Sequence, residues 1–544
     1  TIDGKDSKDF DDAISIEKHE DNFYLYVHIA DVTHYVREGS AIDKDAYERG
    51  NSVYLLDRVI PMLPVELSNG LCSLNPGVDR LSVTTKIELD KEGEILKSDF
   101  YLSVINSNYR LVYTDVSDYI ENGRKFSEDT ELLKNIDLMN ELYKILAEKR
   151  AERGTIEFEF PEPYIKLDAD GKPISIEPEE RRTANSIIEE FMILNNQVIG
   201  SYFSEKHVPF IYRVHDDPKI ERVEKLNNAL RAFRYNTISE VPEPEELREV
   251  LMNARGEKEE GILNMLVLQT MSKAIYSPRQ GIHFGLAIDH YSHFTAPIRR
   301  YSDIIAHRLL KAEFGKENID STNIVKDLET MCQHITETEI NADDAERDVD
   351  DMKSAEYMQQ FIGQTFRGIV SSLTNFGVFI MLDNTVEGLA HFRDMNDDYY
   401  TYDEGKFVVT GEAHHREIRY GDEVEVLLVR SNPELREIDF KILWNEEAVN
   451  ENRVAAGRSH RRKERHGKVE ALRKGKKDRR REAVRKNREN LRDRASDGEK
   501  ESKISCRKRK KNSNLRRLET NKKKRNRIKK SRKNNERSKK SSSK

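Results

Sequence analysis

Five aspartates, Asp3, Asp6, Asp9, Asp11 and Asp12, crowd the opening stretch IDGKDSKDFDDAISI, with Ile14 and Ile16 following at strand spacing. Carboxylates repel one another. Such a cluster at the head of an apolar strand is either a solvated acidic loop or a set of ligands around something strongly positive. If the segment is extended, Asp9 and Asp11 share a face and Asp12 points away. Gly4 offers a turn that folds Asp3 back onto them. Converging carboxylates at a strand edge are hard oxygen ligands for Mg²⁺. Two such ions can flank a phosphodiester, activating a water and stabilising the leaving oxygen. A cationic partner is present in APIRRYSD, where Arg299 and Arg300 follow Pro297 at an expected helix start, a place that also attracts phosphate. Arginine suits bidentate phosphate contacts and charge stabilisation. The competing reading is a surface basic pair tied to Asp303 or a nearby Glu. The aspartate cluster and the aromatic-rich HFGLAIDHYSHF tip the balance toward an active site.

The elements that must position these groups are legible in outline. To about residue 110 the chain reads as strands and turns, with LSVTTKIELDKEGEILKSDFYLSVI forming two strands around DKEG. VIPMLPVELSNGLCSLNPG is a long irregular segment, punctuated by Pro61, Pro64, Gly70, Pro76 and Gly77. An amphipathic helix ends at Gly154, IEFEF and YIKLDADGKPISIEP read as strands, and a strong helix capped by Thr183 follows. More helices run to about Leu310, and the stretch from about 321 to 358 is helical and acidic. A separate all-β unit starts near Gly363 and has the size of an OB-fold barrel. The 544 residues allow two to four domains. There is no apolar run of membrane-spanning length and no signal-peptide pattern, and Cys72, Cys332 and Cys506 fit no zinc spacing. A reduced, cytoplasmic protein without membrane association is expected. The opening on Thr1, inside what reads as the middle of a domain, leads us to expect preceding residues.

Together IDGKDSKDFDDA, VHIADVTHYV, VIPMLPVELSNGLCSLNPG, SIIEEFMILNN and HFGLAIDHYSHFTAPIRRYSD resemble the catalytic (RNB) domain of the ribonuclease II family of exoribonucleases. The likeness runs in order over most of residues 1 to 311. It implies an α/β catalytic domain with a channel for one RNA strand, and processive 3′ to 5′ hydrolysis to nucleoside 5′-monophosphates with Mg²⁺, for which Mn²⁺ is a possible substitute. By the same resemblance Asp3, Asp9 and Asp12 are chiefly metal ligands, and Asp11, a fourth metal position, is the most critical for catalysis. Arg299 stabilises charge on the scissile phosphate, with Arg300 beside it as an RNA contact. Tyr54 holds the terminal nucleotide, Phe158 stacks on the last bases, and Glu189 senses ribose, although Glu190 stands next to it. Asp6 has no matched role and is read as solvated. Without the family, Tyr54 and Phe158 read as rim or half-buried strand residues. His283 and His293 have no Cys nearby and no His-x-x-x-His spacing, so a structural or RNA-contacting role is preferred to zinc.

GIVSSLTNFGVFIMLDNTVEGLAHF resembles the S1 RNA-binding domain, with Phe376, Phe379 and His391 at the positions of its aromatic face. Base stacking on such a face is tolerant of sequence. The alternative is that Phe379 packs the barrel. The tyrosines of the inserted DDYYTYDEGKFVVTG are further candidate contacts. The expected organisation is α+β: a catalytic domain over 1–311, a helical extension over 312–360, an S1-type barrel over 361–445, and a disordered basic tail over 446–544. Partners implied are single-stranded and structured RNA, and through the tail the ribosome or RNA-decay factors, with the protein a monomer. Two rivals stand beside this reading. A catalytically silent RNA-binding or ribosome-associated protein of the same fold would lack an essential Asp or Arg299, and none is missing. A metal-dependent endonuclease would need a cleft open at both ends.

The net charge of -7 conceals a split: from Asn452 on there are 41 Lys plus Arg against 11 Asp plus Glu, leaving 51 against 88 in the body. A body near -37 repels nucleic acid except at local sites, and a tail near +30 attracts it. Deleting the residues after Asn452 is therefore predicted to weaken RNA binding and flatten its salt dependence, since each phosphate neutralised on a single strand contributes a log–log slope of about -0.7. Hydrolysis of a short unstructured RNA is predicted to change little. Coincident salt slopes for the full and shortened chains would show that the tail is not an RNA-binding element.

Overall fold

A computed structural model of the chain describes residues 1–156, 158, 162–315 and 321–444. Expectations that fall on the basic tail lie outside the described residues, as does most of IEFEF around Phe158. In the N-terminal part the strands are β1 (Ile2–Asp3), β2 (Asp12–His19), β3 (Asn22–Ala30), β4 (Val53–Leu55), β5 (Arg58–Ile60), β6 (Asp79–Leu89), β7 (Ile95–Asn106) and β8 (Leu111–Val112). β2, β3, β6 and β7 form one antiparallel sheet in that order, β1 pairs in parallel with β8, and β4 and β5 form a hairpin. Side chains on a strand alternate between faces. Accordingly Phe23, Leu25, Val27 and Ile29 are fully buried, while Tyr24, Tyr26 and His28 between them are only partly covered. The buried face packs against the helices Thr130–Arg153, Thr183–Lys206 and Tyr301–Gly315 to make the main core.

Local signals set several of these boundaries. The helix Thr130–Arg153 opens with the Asp129 carboxylate accepting from the amides of Glu131 and Leu132, and it ends at Gly154, whose φ of 95° suits glycine. The helix Thr183–Lys206 departs from the expected cap. Thr183 is its first residue, and its amide and hydroxyl both donate to Glu121, at 3.0 and 2.8 Å, while the Ala184 amide donates to Ser117 Oγ. The cap is thus borrowed from a neighbouring helix, Tyr113–Asn122. The opening region also holds the helices Val32–Tyr35 and Ala41–Arg49, and the irregular segment contains a wide π-helical turn, Glu66–Leu71.

The C-terminal unit is a closed five-stranded barrel with neighbours in the order Thr365–Leu373, Gly377–Leu382, Glu387–His391, Glu437–Leu443, Glu423–Asn432. A three-stranded sheet over Tyr400–Asp403, Val408–Gly411 and Glu417–Arg419 is inserted into it. The barrel does not keep a private core. Its buried cluster takes in Ala355 and Met358 of the long helix Ser321–Met358, and Ile165 and Ile176 of the hairpin Pro163–Leu167/Pro173–Pro178. Phe407 of the insertion joins a second cluster with Leu226, Leu230 and Leu263. Cys72 and Cys332 are free and buried, and burial pushes both thiols up to about 12. No helix among the described residues is long and apolar enough to cross a membrane.

Within Thr183–Lys206, Gly200 lies against the backbone of His290: a Cβ there would stand 2.6 Å from the carbonyl oxygen. Alanine would gain about 1 kcal/mol in helix propensity, but overpacking against a backbone that cannot step aside costs about 1–3 kcal/mol. Gly200→Ala is expected to lower the Tm, and a raised Tm in thermal unfolding would show that the contact yields.

Candidate active site

Asp3, Asp9, Asp11 and Asp12 line one cavity of about 1330 Å³ together with Tyr54, Phe158, Glu189, Arg299 and Arg300. The strand β2 starts only at Asp12, and residues 4–11 before it belong to no strand or helix. For that reason Asp12 does not point away as extended geometry implies, but shares the cavity with the others. Each carboxylate is held by a different part of the chain. Asp3 Oδ1 accepts from the Gly4 amide at 2.6 Å and from Ser7 Oγ at 2.9 Å. Asp9 Oδ2 accepts from the Tyr54 hydroxyl at 2.8 Å. Asp11 is buried, and its Oδ1 accepts from the Ile298 amide at 2.8 Å. Asp12 Oδ2 is buried with no hydrogen-bond partner. Asp6 is exposed and lies off the cavity.

Burial dominates the electrostatics. It pushes the Asp11 carboxyl well above its usual range, against the Ile298 N–H and the Arg299 charge, which favour the carboxylate. It pushes Asp12 up to about 6, with the neighbouring Asp3 charge adding to the effect. Asp3 is raised as well, first by burial. Tyr113, which the sequence did not single out, also lines the cavity, and burial followed by the Asp3 and Asp12 charges raises its hydroxyl.

Arg299 and Arg300 sit in a turn just before the helix Tyr301–Gly315, not in its first turn. Their amides donate to the Ala296 carbonyl at 3.2 and 2.9 Å. Arg300 forks onto the fully buried Asp303, Nε to Oδ2 at 3.0 Å and Nη2 to Oδ1 at 2.8 Å. The pairing with Asp303 weighed from the sequence holds for Arg300 alone, and it is buried. Arg299 is exposed at the cavity wall, where its charge acts on Asp11, Asp12 and Tyr54. Glu189 faces the cavity and accepts from Arg181 at 2.7 Å, whereas Glu190 is buried against Arg150 at 2.8 Å. His283 and His293 line the cavity too. Burial lowers His283 to about 3, and it holds His293 well below its ordinary value, its Nδ1 being 2.8 Å from the Tyr276 hydroxyl.

The unpartnered Asp12 oxygen, among carboxylates gathered in a cavity, offers what a divalent cation takes. Among the described residues no three His, Cys, Asp or Glu side chains form a group that could hold an ion unaided. Mg²⁺ ordinarily keeps several waters and binds one or two carboxylates plus substrate phosphate. The donor set therefore fits an ion completed by water and phosphate oxygens, not a closed protein cage.

On the barrel, Val378 and Ile380 are fully buried and Phe379 between them faces outward, half-buried. Phe376 is exposed, with its ring centroid 6.4 Å from Phe379 and 6.3 Å from His391. The three thus form one aromatic face, and Phe379 does not pack the barrel interior. The insertion tyrosines divide. Tyr399 is exposed, but Tyr400 is buried between Phe392 and Trp444 with its hydroxyl on Asp397, and so is not a free contact.

A mixed helix-and-strand body with a carboxylate-lined cavity, followed by an aromatic-faced barrel, defines a two-part architecture, and comparison with known proteins gives both parts a family. Residues 1–316 match the RNB domain family and residues 359–443 the S1 RNA binding domain. The chain belongs to the RNB family. It is 40% identical over 457 residues to ribonuclease R of Thermotoga maritima, covering 82% of this chain and 64% of that protein. It is 38% identical over 454 residues to ribonuclease R 1 of Lactococcus lactis subsp. lactis, covering 82% of this chain and 55% of that protein. The solved structure of Mycoplasma genitalium RNase R with ribose-methylated single-stranded RNA superposes with a TM-score of 0.77 at 30% identity, over 81% of this chain and 70% of that one. The chain thus spans between 55 and 64% of the length of these two curated relatives.

Buried carboxylates with raised pKa values oppose folding when they ionise, and a bound cation relieves that. Mg²⁺ is therefore expected to raise the Tm of the RNA-free protein, by the equivalent of about 2.7 kcal/mol at a hundred times its Kd. Asp12→Asn is expected to shrink the rise. A wild-type Tm indifferent to Mg²⁺ in differential scanning fluorimetry would count against cation binding here.

Proposed function

We propose that this chain is a divalent-metal-dependent 3′ to 5′ exoribonuclease that degrades RNA processively to nucleoside 5′-monophosphates. The observation that carries the reading is the convergence of Asp3, Asp9, Asp11, Asp12 and the exposed Arg299 on one cavity. The four aspartates would hold Mg²⁺, with Mn²⁺ as a substitute, and the bound metal would supply an activated water and charge neutralisation at the leaving oxygen. Asp11 keeps its orientation through the Ile298 amide. Arg299, with no hydrogen-bond or ion-pair partner for its guanidinium among the described residues, is free to meet the scissile phosphate and the charge that grows on it. Tyr54, oriented by Asp9, and Phe158 present aromatic surface for the terminal bases, and Glu189 an acceptor for ribose hydroxyls. Arg300, locked to Asp303, contributes its charge at the wall more than a movable contact.

Phe376, Phe379 and His391 would stack on RNA upstream of the cavity. Activity on structured RNA draws support from the Mycoplasma genitalium relative, whose structure was also solved with double-stranded RNA. A cytoplasmic monomer, with ribosome or decay-factor contacts through the tail, completes the reading.

The test uses a 5′-labelled single-stranded RNA with Mg²⁺. A ladder shrinking from the 3′ end is expected; internal cuts would favour an endonuclease, and no cleavage a silent RNA binder. Asp11→Asn keeps an oxygen for the Ile298 amide but loses the charge. It is expected to abolish cleavage in single turnover while RNA affinity stays near wild type, and near-normal cleavage would remove Asp11 from the chemistry.

A further inference from the structure

The motif NGLCSLNPG has no part in the chemistry above, yet its Ser73 is bonded to the aspartate loop. We infer that Ser73 is a positioning residue that sets the Asp9 carboxylate by gripping the backbone on both sides of it. The Ser73 hydroxyl donates to the Lys8 carbonyl at 2.8 Å and accepts from the Phe10 amide at 3.0 Å, so one oxygen spans Asp9. Ser73 is completely buried. Its neighbour Leu74 donates its amide to the Phe10 carbonyl at 2.9 Å. The grip is itself anchored: Arg80, on β6, donates from Nε to the Ser73 carbonyl at 2.9 Å and from Nη2 to the Gly70 carbonyl at 3.1 Å. From the residue just before β8, Arg110 donates to the Gly4 and Lys5 carbonyls and stands 5.4 Å from the Phe10 ring centroid.

The loop needs such fixtures because residues 4–11 belong to no strand or helix. A strand at this point would satisfy the Lys8 carbonyl and the Phe10 amide through a ladder, but would turn alternate carboxylates to opposite faces. A hydroxyl that donates and accepts at once replaces the ladder and leaves Asp9 free to face Tyr54. Alanine at 73 would leave a buried N–H and C=O unpaired beside the carboxylate, and the loop would shift to repair them.

This inference rests on the hydrolytic reading of the cavity, and the experiment separates the two. Ser73→Ala is compared with Ser117→Ala, which removes a hydroxyl equally buried but bonded to the Ala184 amide instead of the loop. Three quantities are measured: single-turnover rate at saturating RNA with Mg²⁺, Kd for the same RNA with metal chelated, and Tm. Ser73→Ala is expected to lose about tenfold or more in rate, the scale of a small misplacement of a reacting group, with RNA Kd unchanged. Ser117→Ala is expected to keep the wild-type rate at a similar loss of Tm. Arg80→Gln, at a half-buried position, loosens the grip from outside and is expected to slow the rate in the same sense with the fold retained. Wild-type rates in Ser73→Ala or in Arg80→Gln, or rates in both serine variants that fall in step with Tm, would overturn the inference alone. A wild-type protein that does not hydrolyse RNA would overturn the hydrolytic reading and this inference with it.

Discussion

Like charges withdrawn from water are the constraint around which this molecule is arranged. Asp3, Asp11 and Asp12 all have raised pKa values, with burial as the largest cause in each case. Left alone, such groups take up protons and lose the charge that makes them useful. The counterweights come from remote segments: the Ile298 amide lies 287 positions from Asp11, and the Tyr54 hydroxyl 45 positions from Asp9. β1 is itself only two residues long, and it is held by parallel pairing with β8 more than a hundred positions on. The carboxylates converge only when the sheet, the β4–β5 hairpin and the turn before Tyr301–Gly315 are all in place. The site is in this sense a product of tertiary structure, although its residues are nearly contiguous.

The turn at 296–300 solves a second electrostatic problem. Two adjacent guanidiniums beside one cavity repel each other, and they are given different tasks. Asp303 receives the fork of Arg300, the Ala296 amide and the Ser302 hydroxyl, so the buried carboxylate is fully satisfied. A buried ion pair contributes little unless its remaining valences are met, and here they are. The pair fixes the turn's conformation more than it adds stability. With Arg300 held inward, Arg299 is left at the surface of the cavity, its carbonyl tied to the Ser52 amide at 3.0 Å.

What could be read from the sequence divides along the same line between local and distant causes. The alternation in FYLYVHI, the DKEG turn and the stop at Gly154 depend on neighbours in the chain, and they were legible. So was the gathering of the aspartates with the Arg299 turn, because long motifs carried it. The meeting of Asp12 with Asp9 and Asp11 in one cavity was not, because the residues before Asp12 form a loop held by tertiary bonds instead of a ladder. Thr183 looked like a cap because its type fits one, but Glu121 takes that role from another helix. Nothing local separates Glu189 from Glu190; Arg150, which pairs with Glu190, does. The same reason accounts for Tyr113, which carried no expectation, and for Tyr400, which was a candidate contact. The first gained a cavity from β1 and β2, and the second lost its exposure to Phe392 and Trp444.

The long helix Ser321–Met358 explains how a barrel with its own aromatic face can keep register with the cavity. At about 1.5 Å per residue its 38 residues extend roughly 57 Å. Along that length it meets Gly50 through Thr338, accepts the Tyr54 amide on Glu346 at 2.6 Å, and donates from Lys353 to the Gly171 carbonyl at 2.6 Å. At its end it accepts the Ser431 hydroxyl on the Ala355 carbonyl and enters the barrel core with Ala355 and Met358. The β4–β5 hairpin is short, and Val59 and Ile60 on it are exposed, so it has little core to hold Tyr54 in place. Leu56, at its turn, packs instead against the barrel cluster. The hairpin therefore takes its position from the helix and the barrel together. The helix that enters the barrel core also holds the Tyr54 backbone, whose side-chain hydroxyl meets Asp9. A single helix thus contacts both the barrel that carries the aromatic face and the backbone of the aromatic residue at the cavity.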